Sequence, residues 1–443
     1  MDLSQLPQHI LSRIFLNVRK LPERTGLRLV CRAFDAAVQR SASWDDLDTI
    51  EVNCVCDEEG LTCVVNGQDK IAAGDMSGDR ARECALFGDR VEWLFRKGTR
   101  LRQLKLHDCY SCGQATPFFI RVLRELTLAF EVNSFNHLRD VRLSMTLAPS
   151  VKALQCMLVR KLGNVPKVCL NLHCNQQPAD LVRDLFSAVS KCRGLYKLHA
   201  HDIRLDTCGP LLLAAVKGKP LATLFVCPGS RDEDAPSARH AAHVVDSCNA
   251  VAPGSLRFLV LNALVCRVGG LSMIDFLDQV NTPKQLAALQ RLEVAMPFNR
   301  PVAETSHEAR RLLIRMAERL PALRHFVLLN NSLIVKIELD DLVAVVRRWV
   351  AKLTATGENH RLQLLCNHFI GQSSAGALRH LQEMLPRYKI RTELADSPRF
   401  QLHVEVPNSR GVLILQMTEI EEPDHANVPP ALPADDPMED EED

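Results

Sequence analysis

One short apolar unit recurs along this chain and limits what it can fold into. The pattern Leu-x-x-Leu-x-Leu, with other aliphatic residues at some positions, stands at Leu101/Leu104/Leu106, Leu123/Leu126/Leu128, Leu138/Val141/Leu143, Val165/Val168/Leu170, Leu195/Leu198/Ala200, Leu221/Leu224/Val226, Leu256/Leu259/Leu261, Leu289/Leu292/Val294 and Leu323/Phe326/Leu328. In a chain that is 47% apolar, such triplets arise by chance about a dozen times. A stricter form decides the matter. Leu101-Arg102, Leu123-Arg124, Leu138-Arg139, Leu256-Arg257 and Leu323-Arg324 all open on Leu-Arg and close on Leu, where random expectation is roughly well below one. Residues two apart share one face of a strand, so each unit predicts a short strand with one buried side.

Helical patterns lie between the units. Leu181, Leu185, Phe186 and Val189 form one; Leu312, Leu313, Met316 and Leu320 a second; Leu342, Val345, Val346, Trp349 and Leu353 a third. The second opens on the capping box Thr305-x-x-Glu308 and stops at Pro321, and the third runs from Asp340 and Asp341 to Gly357. Strand, helix, strand in this rhythm predicts an α/β fold, a curved parallel sheet backed by helices in which each unit buries its face against its neighbours. After Leu323 the pattern continues to Asn331 and Leu333, and Leu101 places Cys109 at the equivalent point, so both units resemble a leucine-rich repeat. Spacings of 22, 15, 27, 30, 26, 35, 33 and 34 residues are uneven, so the repeat is expected to be irregular, with insertions. Leu362/Leu364/Leu365, a helix from Ser374 to Leu385, and strands from Gln401 to Val406 and Val412 to Met417 are expected to close the array.

The first 47 residues read differently. Leu6, Ile10 and Ile14, with Leu11, Phe15 and Val18, recur at helical spacing behind Pro7, and Leu27, Val30, Cys31, Phe34 and Val38 repeat by three and four before Trp44. Helices this short make a core that is marginal without a partner to cover it. In order and spacing, Leu6-Pro7, Ile10-Leu11, Ile14-Phe15, Leu29-Val30-Cys31-Arg32, Phe34 and Trp44 closely resemble an F-box. The linking turn Lys20-Leu21-Pro22-Glu23-Arg24-Thr25-Gly26 departs from that family in being more charged. The resemblance implies a non-catalytic protein that holds a Skp-type adaptor through these twelve residues, and through it cullin and RING subunits of a ubiquitin ligase. The expected organisation is then an F-box over 1–47, a connecting segment with a helix over 48–98, an irregular leucine-rich-repeat-like substrate-binding body over 99–418 and a disordered acidic tail over 419–443.

The tail holds 11 acidic residues, five prolines and no Lys or Arg, a composition too poor in apolar side chains to offset ordering entropy. Without it, 54 basic residues stand against 42 acidic ones, so residues 1–418 carry +12. The basic residues are dispersed rather than clustered with stacking aromatics, and no nucleic-acid partner is expected. Sixteen scattered cysteines and no leader-like start read as reduced thiols in the cytosol or nucleus. Apolar runs such as Leu211 to Val216 are too short to span a bilayer. There is no G-x-G-x-x-G, no phosphate-binding G-x-x-x-x-G-K-[ST], no G-x-S-x-G and no H-E-x-x-H, so neither cofactor nor catalytic residue is assigned. His107 with Cys109-x-x-Cys112, the group Cys54, Cys56 and Cys63, and Cys169 with His173 and Cys174 are each half a zinc site, and no metal is assigned. Two functions stand: the substrate receptor of a Skp/cullin/F-box ligase, and a repeat protein that binds a partner without any ligase.

Overall fold

A computed structural model describes residues 49–53, 55–57, 60–65, 69–72, 95, 101–108, 117–132, 135–175, 177, 179–228, 238–262, 273–280, 282–295, 305–329, 335–356, 361–371, 374–394, 399–407 and 411–419. The first strands are β1 (Thr49–Asn53), β2 (Val55–Asp57), β3 (Gly60–Val65), β4 (Asp69–Ala72) and β5 (Gln103–His107). Strands and helices then alternate: α1 (Pro117–Val132), β6 (Asp140–Thr146), α2 (Lys152–Lys161), β7 (Lys167–His173), α3 (Ala179–Ser190), β8 (Leu195–Ile203), α4 (Leu205–Val216), β9 (Thr223–Pro228), α5 (Ala238–Ala250) and β10 (Phe258–Asn262). Next come α6 (Met273–Gln279), α7 (Thr282–Gln285), β11 (Arg291–Ala295), α8 (Ser306–Arg319), β12 (His325–Leu329), β13 (Val335–Lys336), α9 (Leu339–Thr356) and β14 (Arg361–Gly371). Last are α10 (Ser374–Met384), β15 (Lys389–Leu394), β16 (Arg399–Glu405) and β17 (Val412–Glu419).

The main sheet has 14 strands, ordered β1-β5-β6-β7-β8-β9-β10-β11-β12-β14-β17-β16-β15, with β13 beside β14. Every pair from β1 to β17 along that order is parallel, and β17-β16-β15 is antiparallel. A separate antiparallel sheet, β2-β3-β4, touches β1 through β3. From β1 to β14 strand order follows chain order, and parallel crossovers keep one hand, so the intervening helices share one face and pack along it. Alternation within strands agrees. Leu104, Leu106, Val141, Leu143, Val168, Leu170, Leu198, Ala200, Leu224, Val226, Leu259, Leu261, Leu292 and Val294 are buried beneath the helices, and each fully buried Leu or Val contributes about 1.5–3 kcal/mol.

Eight of the nine apolar units are strands, and one is not. Leu123-Arg124-Glu125-Leu126-Thr127-Leu128 fits the strand template but lies inside α1. Phe119, Val122, Leu123, Leu126 and Ala129 are the buried set there, at steps of three and four, whereas Leu128 is exposed. An apolar step of three serves a helix as well as the template, and the flanking periodicity settles it. Removing this unit leaves spacings of 37, 27, 30, 26, 35, 33 and 34 residues, a more even series than expected. The helices expected at Leu181–Val189, Leu312–Leu320, Leu342–Leu353 and Ser374–Leu385 are α3, α8, α9 and α10. β1 falls in the segment 48–98 and extends the sheet by pairing with β5. The helix expected from Arg80 to Arg96 lies outside the described residues except at Phe95, which is helical and buried. Residues 420–443 lie outside them as well.

Successive units are tied by backbone and side-chain bonds at their ends. The Arg102 carbonyl accepts from the N–H groups of Arg139 and Asp140, and the Ala222, Arg257 and Gln290 carbonyls likewise accept from 257 and 258, 290 and 291, and 324 and 325. Carbonyls left over at helix C-termini are met from neighbouring units: Lys219 Nζ donates to Ser190 (2.5 Å), Gln285 Nε2 to Asn249 (2.9 Å), Asn249 Nδ2 to Gln279 (3.3 Å) and Lys352 Nζ to Leu320 (2.5 Å). Gly194, entering β8, lies so close to the Val165 and Pro166 carbonyls that a Cβ has no room.

Candidate functional site

All twelve residues of the F-box-like pattern, Leu6, Pro7, Ile10, Leu11, Ile14, Phe15, Leu29, Val30, Cys31, Arg32, Phe34 and Trp44, lie outside the described residues. The surface that the fold itself supplies is the sheet face turned away from the helices. Register fixes which side chains share it. One row runs Glu51, Lys105, Arg142, Cys169, Lys197, Thr223, Phe258, Arg291 and His325, and the next, two residues further along each strand, runs His107, Ser144, Asn171, His199, Phe225, Val260, Glu293 and Val327. At β8 the register shifts between Val168 and Cys169, so Tyr196 is an extra residue and Leu198 pairs with Leu170. Relative to the apolar template this slides β8 by two residues, which leaves every side chain on its original face.

The first row, together with Asp140 and Lys167 two residues earlier on β6 and β7, is rich in cations. Lys105 Nζ donates to Glu51 (2.7 Å), while Asp140 accepts from Lys167 Nζ (2.9 Å), Arg142 (3.4 Å) and Gln103 (3.4 Å). Burial alone would raise the Asp140 carboxyl, but the hydrogen bonds and charges of Lys167 and Arg142 outweigh it and hold the group below its ordinary value. Arg291 Nε donates to Glu293 (2.6 Å) and stands over the Phe258 ring at 5.2 Å, as Lys167 stands over Tyr196 at 5.2 Å. Lys197 has no carboxylate partner among the described residues. The five cations Lys105, Arg142, Lys167, Lys197 and Arg291 therefore face three carboxylates, Glu51, Asp140 and Glu293.

Further along the same strands the face turns aromatic. His173 and His201 stack with centroids 4.2 Å apart and planes at 7°, His199 lies edge-on to His201 at 6.0 Å, and Phe225 covers both at 5.1 and 4.5 Å. Burial pushes His173 down to about 4, helped by His201 and His107, and pushes His199 down to about 3, helped by Lys197 and His201. Burial lowers His201 too, against the pull of Asp202, and lowers His107 against Glu51. The cluster is thus neutral at pH 7, an apolar aromatic patch beside a row of cations. Cys169 is on this face, its thiol raised by burial and then by Asp140, whereas Cys174 is buried and its thiol is raised by burial.

Among the described residues no group of three His, Cys, Asp or Glu is placed to hold a metal ion, and no helix is long and apolar enough to cross a membrane. Cys109 and Cys112 lie outside the described residues. Sequence reasoning passed over Lys197, His199, His201 and Phe225. Their signal was the position between two buried residues, as in Leu198-His199-Ala200 and Leu224-Phe225-Val226, which assigns a side chain to the open face whatever its type. The class defined by fold and face is α/β: a parallel sheet with one helix-covered side and an opposite side that no described helix covers. Compared with known proteins, the chain matches no family model and no curated sequence.

Proposed function

We propose that this chain is the substrate-recognition subunit of a Skp/cullin/F-box ubiquitin ligase, with an irregular leucine-rich-repeat-like body. The observation that carries the proposal is the composite pattern Leu6-Pro7, Ile10-Leu11, Ile14-Phe15, Leu29-Val30-Cys31-Arg32, Phe34 and Trp44. The sheet face opposite the described helices supports it, because a receptor needs a broad surface whose side chains can vary without disturbing the core. In this function the chain does no chemistry: it holds a protein target near a separate conjugating enzyme, and the rate gain is one of proximity.

A second function, a binding protein with no ligase, is favoured by one observation. β1 starts at Thr49 and, among the described residues, forms the first edge of the sheet, and in sequence residues 1–47 precede it, where an N-terminal cap would stand. A pull-down with a Skp adaptor separates the two. The wild-type chain captures the adaptor, and a Leu6→Ala, Pro7→Ala, Ile10→Ala variant that keeps its circular dichroism does not. Capture of neither chain removes the ligase function and leaves the second.

A further inference from the structure

We infer that the sheet face opposite the helices takes an extended acidic peptide segment of a partner protein, with a carboxylate over Lys197 and an aromatic or large aliphatic side chain, two residues away, over His199 and Phe225. The inference deepens the proposed function, on which it rests for calling that partner a target. Charge is the first argument. Five cations share this part of the face with three carboxylates, and Lys197 has no carboxylate partner among the described residues. Arg142, Arg291 and Lys167 are 50, 47 and 39% exposed with their ion pairs made, and Tyr196 is 38% exposed, so the row reaches solvent. The imidazoles beyond it add no positive charge at pH 7, since burial holds His173 at about 4 and His199 at about 3 and lowers His201. A ligand lying along the strands therefore meets cations first and neutral rings next.

Spacing is the second argument. Lys197, His199 and His201 follow one another on one face of β8, and Phe225 stands beside His199 on β9. Residues two apart along a parallel strand are separated by about 6.6 Å, and the alternate side chains of an extended peptide by about 7 Å. A segment lying along β8 thus sets an acidic residue on Lys197 and an apolar residue two positions away on the His199–Phe225 patch. An apolar residue one position away points off the sheet. The rings also argue against a nucleic acid. Bases stack on open ring faces, but His173 and His201 stack on each other, Phe225 leans on His199 and His201, Lys167 stands over Tyr196 and Arg291 over Phe258. A surplus of two cations is also small against a phosphate at every nucleotide. Exposed charge pairs are individually weak and fade with salt, so the apolar side chain anchors the segment and the carboxylate sets its register.

Fluorescence anisotropy of the full chain with labelled peptides tests the inference. The probe repeats Glu-Thr-Phe-Thr three times. Its control repeats Glu-Phe-Thr-Thr, which keeps composition and charge and moves Phe to the other side of the extended peptide. Expected is binding of the probe about fivefold tighter than of the control, a loss of about fivefold in Lys197→Glu, the scale of one exposed charge pair, and no change in Lys191→Glu, which makes the same charge change just after α3. Carbodiimide coupling of the probe to the unmutated chain needs no variant: it is expected to link the probe to Lys197, with the Glu51–Lys105 pair, in contact at 2.7 Å, as positive control. Equal binding of probe and control, binding indifferent to Lys197→Glu in a chain of unchanged circular dichroism, no binding, or no link to Lys197 while the control pair couples overturns it. So does tighter binding of a labelled oligouridylate that Lys197→Glu abolishes, which gives the face to single-stranded nucleic acid. In the proposed function the adaptor is held by residues 1–47 and not by this face. Adaptor capture without peptide binding therefore removes the peptide and leaves that function, and peptide binding without adaptor capture does the reverse.

Discussion

A neutral imidazole can stack on another at 4.2 Å, but a charged one cannot do so cheaply when burial withholds water. That is the position of His173 on His201, and of His199 and His201 against Phe225. In the unfolded chain these side chains titrate near the ordinary value of 6.5, whereas in the fold His173 titrates at about 4 and His199 at about 3. Between those limits the unfolded chain binds more protons. Stability is therefore fully present above about pH 6.5 and declines as pH falls below it, by at most about 1.4 kcal/mol per pH unit for each imidazole. His199→Phe retains the packing and removes one proton. Urea unfolding at pH 7.5, 6 and 5 is expected to show a flatter decline for this variant than for the wild type; parallel profiles would exclude His199 as a source of the acid sensitivity.

At the scale of elements, ends matter as much as cores. Helix α8 starts at Thr305, whose hydroxyl accepts from the Glu308 N–H (3.2 Å), and the next residue ties it to the following unit. Ser306 Oγ donates to Asp341 (2.5 Å) and accepts from the Glu338 N–H (2.8 Å), while Arg310 pairs with Asp341 (3.1 Å). Thr305→Ala is expected to cost about 1 kcal/mol in denaturant unfolding, and Thr305→Ser to restore most of it; equal stability of all three would deny the cap. This cap was legible in advance because Thr-x-x-Glu is a local signal, and so were the eight strands, because each carries its own Leu-x-x-Leu-x-Leu. Leu123–Leu128 was misjudged for the converse reason: the same spacing suits a helix, and only Phe119 and Val122 upstream reveal which. The two-residue slide at Tyr196 was illegible, since both registers bury the same side chains. The open-face cluster was half legible. His173 drew notice as a metal ligand candidate, but its stacking on His201 depends on the pairing of β7 with β8, which no spacing within either strand discloses.

For the whole molecule, contacts run mostly from each unit to the next, so stability is set by neighbours rather than by one central core. Strands β7, β8 and β9 have partners on both sides and helices α2 to α5 over them. Among the described residues β15 has a partner on one side only. Native-state hydrogen exchange is expected to find the slowest amides in β7 to β9 and exchange about 100-fold faster in β15; uniform protection would mean that the sheet opens as a single unit. The charged edge beyond β17 has a further consequence. A parallel sheet ordered as the chain is can be lengthened by inserting a strand and helix anywhere inside it, each adding about 4.8 Å. At its far end β16 runs against the array and β15 runs with it again, and β15 alternates Lys389, Arg391 and Glu393 outward, with Lys389 and Arg391 held to Glu405. Those charges, rather than strand direction, are what discourage a further strand from pairing there.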